Sequence, residues 1–137
     1  MKAIAHRSDT KGLSHDVELG EHRLVVDEPR EQGGEDKGPT PQELLAASLA
    51  ACTAITLEMY ARRKDWDLGD VEGQCDYEQP ARDKPTLFKL ALRLPSGLTP
   101  EQVERLESIA GKCPVHRTLS GETRFEQTVE LVEPAPG

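Results

Sequence analysis

Hydrophobic positions along this chain change period several times, and each change marks an element. In residues 13–19, LSHDVEL, the side chains of Leu13, His15, Val17 and Leu19 alternate with polar ones, and HRLVVDEP repeats the pattern beyond Gly20 and Glu21. Alternation of period two puts one set of side chains on one face of a sheet, so two such runs around a short turn predict an antiparallel hairpin. Residues 3–5 can add a third strand. The following PREQGGEDKG, residues 29–38, is charged and glycine-rich and predicts an exposed connection.

The pattern then turns helical in GPTPQELLAASLAACTAITLEMYARRKDW, residues 38–66. Thr40 is placed as N-cap, Pro41 at the first helical position, and Glu43 as the third residue of a capping box. Leu44 to Leu57 carries no charge on any face. A helix apolar all round must be covered on every side, so this one is expected to be central and buried. Arg62, Arg63 and Lys64 then suit the negative end of its dipole.

Beyond Trp66 the period returns to two. Val71, Gly73, Cys75 and Tyr77 share one face of a strand, and Phe88, Leu90, Leu92 and Leu94 share one face of the next, so a second hairpin is expected. GLTPEQVERLESIAGK begins a second helix, with Thr99 as N-cap, Pro100 first, Gln102 closing a capping box and Leu98 stapled to Val103. Its narrow stripe of Val103, Leu106 and Ile109 predicts a surface helix, with Gly111 as its stop. Pro114 can open a third, short helix, and a last strand is expected from Thr123 to Val132. The order is α+β, with antiparallel sheets packed on a long buried helix. No linker or repeat divides residues 1–137, so a single domain is expected.

Composition narrows the partners. The net charge is −8, from 17 basic and 25 acidic residues, and only 4% of residues are aromatic. Such a surface lacks the basic field and stacking platforms that nucleic acid or an anionic membrane requires. No apolar run approaches the roughly 20 residues needed to cross a bilayer, and MKAIAHRSDT has no apolar signal core. Three cysteines in that setting fit a reducing cytoplasm, where a cysteine pair serves catalysis or metal binding more often than structure.

The cysteines are the candidates for chemistry. Cys113, before Pro114, would be the N-cap of the short helix, its sulfur beside free backbone N–H groups that favour thiolate, with His116 and Arg117 in the first turn. Taken alone, a cysteine before proline is more often a small inert residue. Cys52, in the middle of the apolar helix, gains nothing from its own dipole, and burial raises a thiol pKa, so by itself it reads as a seam-filling residue. Cys75, on the apolar face of a strand, reads as core. A zinc site has no support in the spacing of these cysteines and of His6, His15, His22 and His116, and no G-x-S-x-G elbow marks a serine hydrolase.

Together, GGEDKGPTPQELLAASLAAC and the downstream KCPVHRTL resemble the OsmC/Ohr family of osmotically inducible and organic-hydroperoxide-resistance proteins, and the resemblance runs over nearly the whole chain. It implies an intertwined homodimer with the long helices packed centrally, and a site whose two cysteines meet at the subunit interface. It makes Cys52 the peroxidatic thiol and Cys113 the resolving one. A thiolate attacking a hydroperoxide becomes a sulfenic acid, which a second thiol condenses to a disulfide before further oxidation. The reaction needs no metal or organic cofactor, and an external dithiol reductant restores the thiols. The apolar surroundings of Cys52 suit an organic hydroperoxide.

Two family features are displaced here. Peroxidases of this kind carry a glutamate directly after the helix-opening proline and an arginine in the first hairpin. Here Gln42 follows Pro41, and Glu43 lies about 100° further round the helix, where it suits the capping box. Arg7, Arg23 and Arg30 are the arginine candidates, and none matches the pattern clearly. The resemblance thus implies a less activated Cys52, with Gln42, Glu43, His116 or Arg117 as supporting residues. The alternative is a non-catalytic dimer that binds a small hydrophobic ligand or senses redox state.

Overall fold

The computed structural model describes residues 1–78 and 80–134 of the chain. Three strands, β1 (Ala3–Arg7), β2 (His15–Leu19) and β3 (His22–Val26), form an antiparallel sheet in the order β1-β2-β3. Leu19 pairs with His22 across the predicted turn, where Gly20 adopts φ 62°, a value that costs glycine little. The connection to the helix is not loosely solvated. Asp27, only 2% exposed, accepts the backbone N–H groups of Glu28, Glu35 and Lys37 at 2.8, 3.2 and 3.1 Å. Burial pushes this carboxyl up, but those N–H donors outweigh it and hold its pKa below the ordinary value.

Helix α1 spans Pro41–Arg63 with the expected cap: Glu43 N–H donates to Thr40 Oγ1 at 3.1 Å, and Thr40 N–H to Glu43 Oε1 at 3.0 Å. Strands β4 (Glu72–Glu78) and β5 (Leu87–Arg93) pair antiparallel, Cys75 opposite Leu90 and Tyr77 opposite Phe88, and this hairpin lies across α1. Gly73 makes that approach possible, because a Cβ there would stand 2.8 Å from the Ala50 carbonyl oxygen. Helix α2 (Pro100–Ala110) repeats the capping box with Thr99 and Gln102, and α3 (Pro114–Ser120) follows at once. Gly111 ends α2 in ordinary right-handed geometry, φ −70°, so its lack of a side chain is not what stops the helix.

The core lies between the second half of α1, α2 and β5. Leu57, Ala61, Leu68, Leu106 and Ile109 are buried there, with Trp66, Leu92, Leu94 and Leu98 packed against them. Leu57 and Leu106 are fully enclosed, each contributing about 1.5–3 kcal/mol by removal from water.

Three expectations are corrected. The helix is not covered on all sides by its own chain: Leu49, Thr53, Leu57 and Ala61 are buried, whereas Ala47, Ala51, Ile55 and Met59, one turn apart in succession, face outward. By length and composition α1 alone could also cross a bilayer, which counting uninterrupted apolar residues misses because Ser48, Thr53 and Thr56 dilute the run. Its buried face packs on β4, α2 and α3. Finally, residues 122–134 form no strand. They run exposed, with Phe125 89%, Val129 82% and Leu131 94% accessible, because a strand needs an edge to pair with and this segment pairs with none among the described residues.

Candidate thiol site

Helix α3 packs against α1, and that contact sets Cys113 beside Cys52. The two are 61 positions apart (113 minus 52), and the packing of α3 on α1 makes each thiol part of the other's surroundings within one chain. Cys113 is the N-cap of α3. Its sulfur accepts the His116 N–H at 3.3 Å, and it is fully buried. Cys52 is half-buried on α1, between the packed face and the outward stripe.

The environments of the two sulfurs differ in kind. Burial pushes Cys113 up, but the His116 N–H, the Cys52 thiol, the Thr53 hydroxyl and the Val115 N–H outweigh it, and the thiol lies below its ordinary pKa. For Cys52 burial again pushes up, Cys113 adds to it, and the Val115 N–H and Thr56 hydroxyl do not compensate, so this thiol lies above its ordinary value. Of the two thiols, Cys113 is therefore the one that gives up its proton more readily. Thr53 is itself fully buried, its hydroxyl donating to the Leu49 carbonyl oxygen at 2.8 Å.

The remaining candidates are scattered. Glu43 is held in the capping box. Gln42 and Cys75 line a cleft of about 700 Å³ with Glu28, Thr40 and Tyr77, so Cys75 borders open space and is not enclosed in the core; burial raises its thiol. Arg117 is exposed on α3. His116 reaches Cys113 through its backbone N–H, while its Nδ1 is buried with no hydrogen-bond partner among the described residues. The arginine candidates are elsewhere: Arg7 donates to the Gly12 carbonyl at 3.0 and 3.1 Å, Arg23 lies 3.5 Å from Glu18, and Arg30 sits in a 3-10 turn. The groups that bear most on the two sulfurs are neutral, and Thr53, Thr56 and Val115 are the ones that sequence reasoning missed. Thr56 had a legible signal, four residues after Cys52 and hence on the same helix face.

Two apolar cavities flank the site. One, of about 620 Å³, lies among Leu90, Leu92, Leu94, Leu98, Val103 and His116. The other, of about 570 Å³, lies among Leu49, Leu87, Phe88, Leu90, His116 and Leu119.

The family model for OsmC-like protein matches residues 34–128. Among solved structures, the chain is similar to an organic hydroperoxide resistance protein OsmC of Legionella pneumophila, with 27% identity over 88% of each chain and a TM-score of 0.64. It is similar in fold to the OsmC-like protein of Mycoplasma pneumoniae, with 19% identity over 88% of this chain and 86% of that one, TM-score 0.71. The organic hydroperoxide resistance protein OhrB of Bacillus subtilis shares 22% identity over 88% and 90%, TM-score 0.60. No curated protein sequence matches the chain.

Proposed function

The chain belongs to the OsmC-like protein family, and from that footing we propose that it is a thiol-dependent peroxidase reducing organic hydroperoxides through Cys52 and Cys113. The observation that carries the reading is that helix packing brings these two cysteines, 61 positions apart (113 minus 52) in a chain with no spacing motif, into each other's surroundings. Cys52, half-exposed, attacks the outer oxygen of the hydroperoxide and becomes a sulfenic acid, releasing the alcohol. Cys113 then displaces the hydroxyl as water and closes the disulfide. An external dithiol in the cytoplasm returns both sulfurs to thiols. The Legionella relative, named for organic hydroperoxide resistance, supports the substrate class.

The working unit in this proposal is a homodimer. Three surfaces lack cover among the described residues: the Ala47, Ala51, Ile55 and Met59 stripe, the sheet carrying Ile4, Leu19 and Val25, and the extended residues 122–134. A second copy offers an apolar match for each, and its tail supplies a strand to a free sheet edge. Light scattering is expected to give twice the chain mass, and removal of residues 122–137 to lower it.

The decisive experiment is peptide mapping without reductant after treatment with cumene hydroperoxide. A Cys52–Cys113 linkage that dithiothreitol reverses is expected; survival of all three thiols would overturn the peroxidase reading. One observation favours a second reading, a dimer that binds a small hydrophobic ligand: neither cysteine lines the 620 or 570 Å³ cavity. Ligand-induced thermal stabilisation that persists in Cys52→Ser, without peroxide consumption by the wild type, would select it.

A further inference from the structure

The two apolar cavities beside the thiols meet at one wall. His116 and Leu90 line both of them, Leu90 from the inward face of β5 and His116 from the first turn of α3. Away from that wall, the cavity of about 620 Å³ continues past Leu98 and the one of about 570 Å³ past Phe88 and Leu119. Cavities of this size hold a small organic molecule, and apolar walls with a few placed polar groups are the usual form of such a site.

The polar group at the meeting point is the His116 imidazole. Its place is set by the backbone, because the His116 N–H is held on the Cys113 sulfur at 3.3 Å and α3 packs on α1. Nδ1 is buried with no hydrogen-bond partner among the described residues. A nitrogen left in that state costs stability, and folded proteins keep few of them. A neutral imidazole carries one donor and one acceptor nitrogen, and its ring torsion is soft and roughly two-fold. A half-turn therefore carries Nδ1 from one edge of the ring to the other with little change in the shape of the wall. Glu107 borders the 620 Å³ cavity and disfavours a second negative charge there.

We propose that the two cavities form one binding site for a neutral, elongated, mostly apolar molecule with a single hydroxyl or carbonyl group near its middle. That group hydrogen-bonds to the His116 imidazole, and an apolar arm fills the cavity on each side. A molecule of the same composition with its polar group at one end can reach His116 only by leaving one cavity empty, so the position of the group decides affinity. Binding needs no turnover at Cys52 or Cys113, neither of which lines the cavities, and it is independent of the peroxidase chemistry.

The test titrates the full chain with 6-undecanol and, separately, with its isomer 1-undecanol, each read by isothermal titration calorimetry. The mid-chain alcohol is expected to bind about tenfold or more tightly, because it alone fills both cavities while keeping its hydrogen bond. His116→Phe keeps a flat ring between the apolar walls and removes both nitrogens, and it is expected to bind 6-undecanol about tenfold more weakly than the wild type. Equal binding of the two isomers by the wild type, or undiminished binding of 6-undecanol by His116→Phe, would overturn the proposal. So would no binding of 6-undecanol up to its solubility limit, the result to be met if the tail of a second copy already fills the cavities. The isomer comparison needs only the wild type and decides the matter if His116→Phe does not fold. Neither alcohol is a peroxide, so failure here leaves the peroxidase reading to its own peptide map.

Discussion

Gly73 is where strand β4 comes closest to helix α1, and replacing it by alanine measures how much of the architecture depends on that approach. The new Cβ would stand 2.8 Å from the Ala50 carbonyl oxygen and 3.6 Å from the Ala54 Cβ. The first contact is about 0.6 Å shorter than an ordinary van der Waals approach of roughly 3.4 Å, and it falls on backbone, which cannot swing aside as a side chain does. Forcing extra volume into such a seam costs about 1–3 kcal/mol. Against this, alanine lowers the entropy of the unfolded chain, worth about 0.4–1 kcal/mol in its favour. The net expectation is a loss of about 1–2 kcal/mol, which for a chain of this size lowers Tm by roughly 3–8 °C. Gly97→Ala is the matched control, because nothing lies within 4 Å of a Cβ there and only the entropy gain should appear. Urea denaturation of both variants at one protein concentration decides it. If Gly73→Ala is as stable as Gly97→Ala, the account of how hairpin and helix fit together is wrong.

Other outcomes follow from the same physics. Leu57→Ala empties a fully enclosed site in the core and is expected to cost about 2–5 kcal/mol in urea denaturation. Asp27→Asn removes the charge and replaces one of the two acceptor oxygens with an amide group that cannot accept, so the three backbone N–H bonds cannot all survive, and faster amide exchange at Glu35 and Lys37 should report it. Because the folded pKa of Asp27 is depressed, its contribution is complete above the ordinary carboxylate value of 3.8 and is lost as pH falls through the lower folded value, so the wild type should lose its advantage over the variant only in acid. Thr40→Ala breaks the α1 cap and should cost about 1 kcal/mol.

Much of this was legible in the chain because the signals are local. Thr40-Pro41-Glu43 and Thr99-Pro100-Gln102 mark both longer helix starts, and the alternation from Gly73 to Tyr77 and from Phe88 to Leu92 matches the inward faces of β4 and β5. Cys113-Pro114 marked the third helix in the same way. What escaped reading is non-local. An apolar face tells that a residue wants cover but not which surface gives it, so α1 read as enclosed although its own chain leaves Ile55 and Met59 more than half exposed. The alternation of Phe125, Val129 and Leu131 encodes a wish to pair without an edge to pair with. At the site, Cys52 and Cys113 were legible as candidates, but which thiol is the more acidic depends first on the His116 N–H and then on neighbours that only the packing of α3 on α1 brings together.

The sulfur of Cys113 is also the first fastening of the last helix, and this ties shape to chemistry. In the proposed cycle that sulfur would pass into a disulfide, a poorer acceptor than a thiolate, and its hold on the His116 N–H would weaken. On that reading the opening turn of α3, and with it the apolar tail leaving its far end, would answer to the oxidation of a single atom.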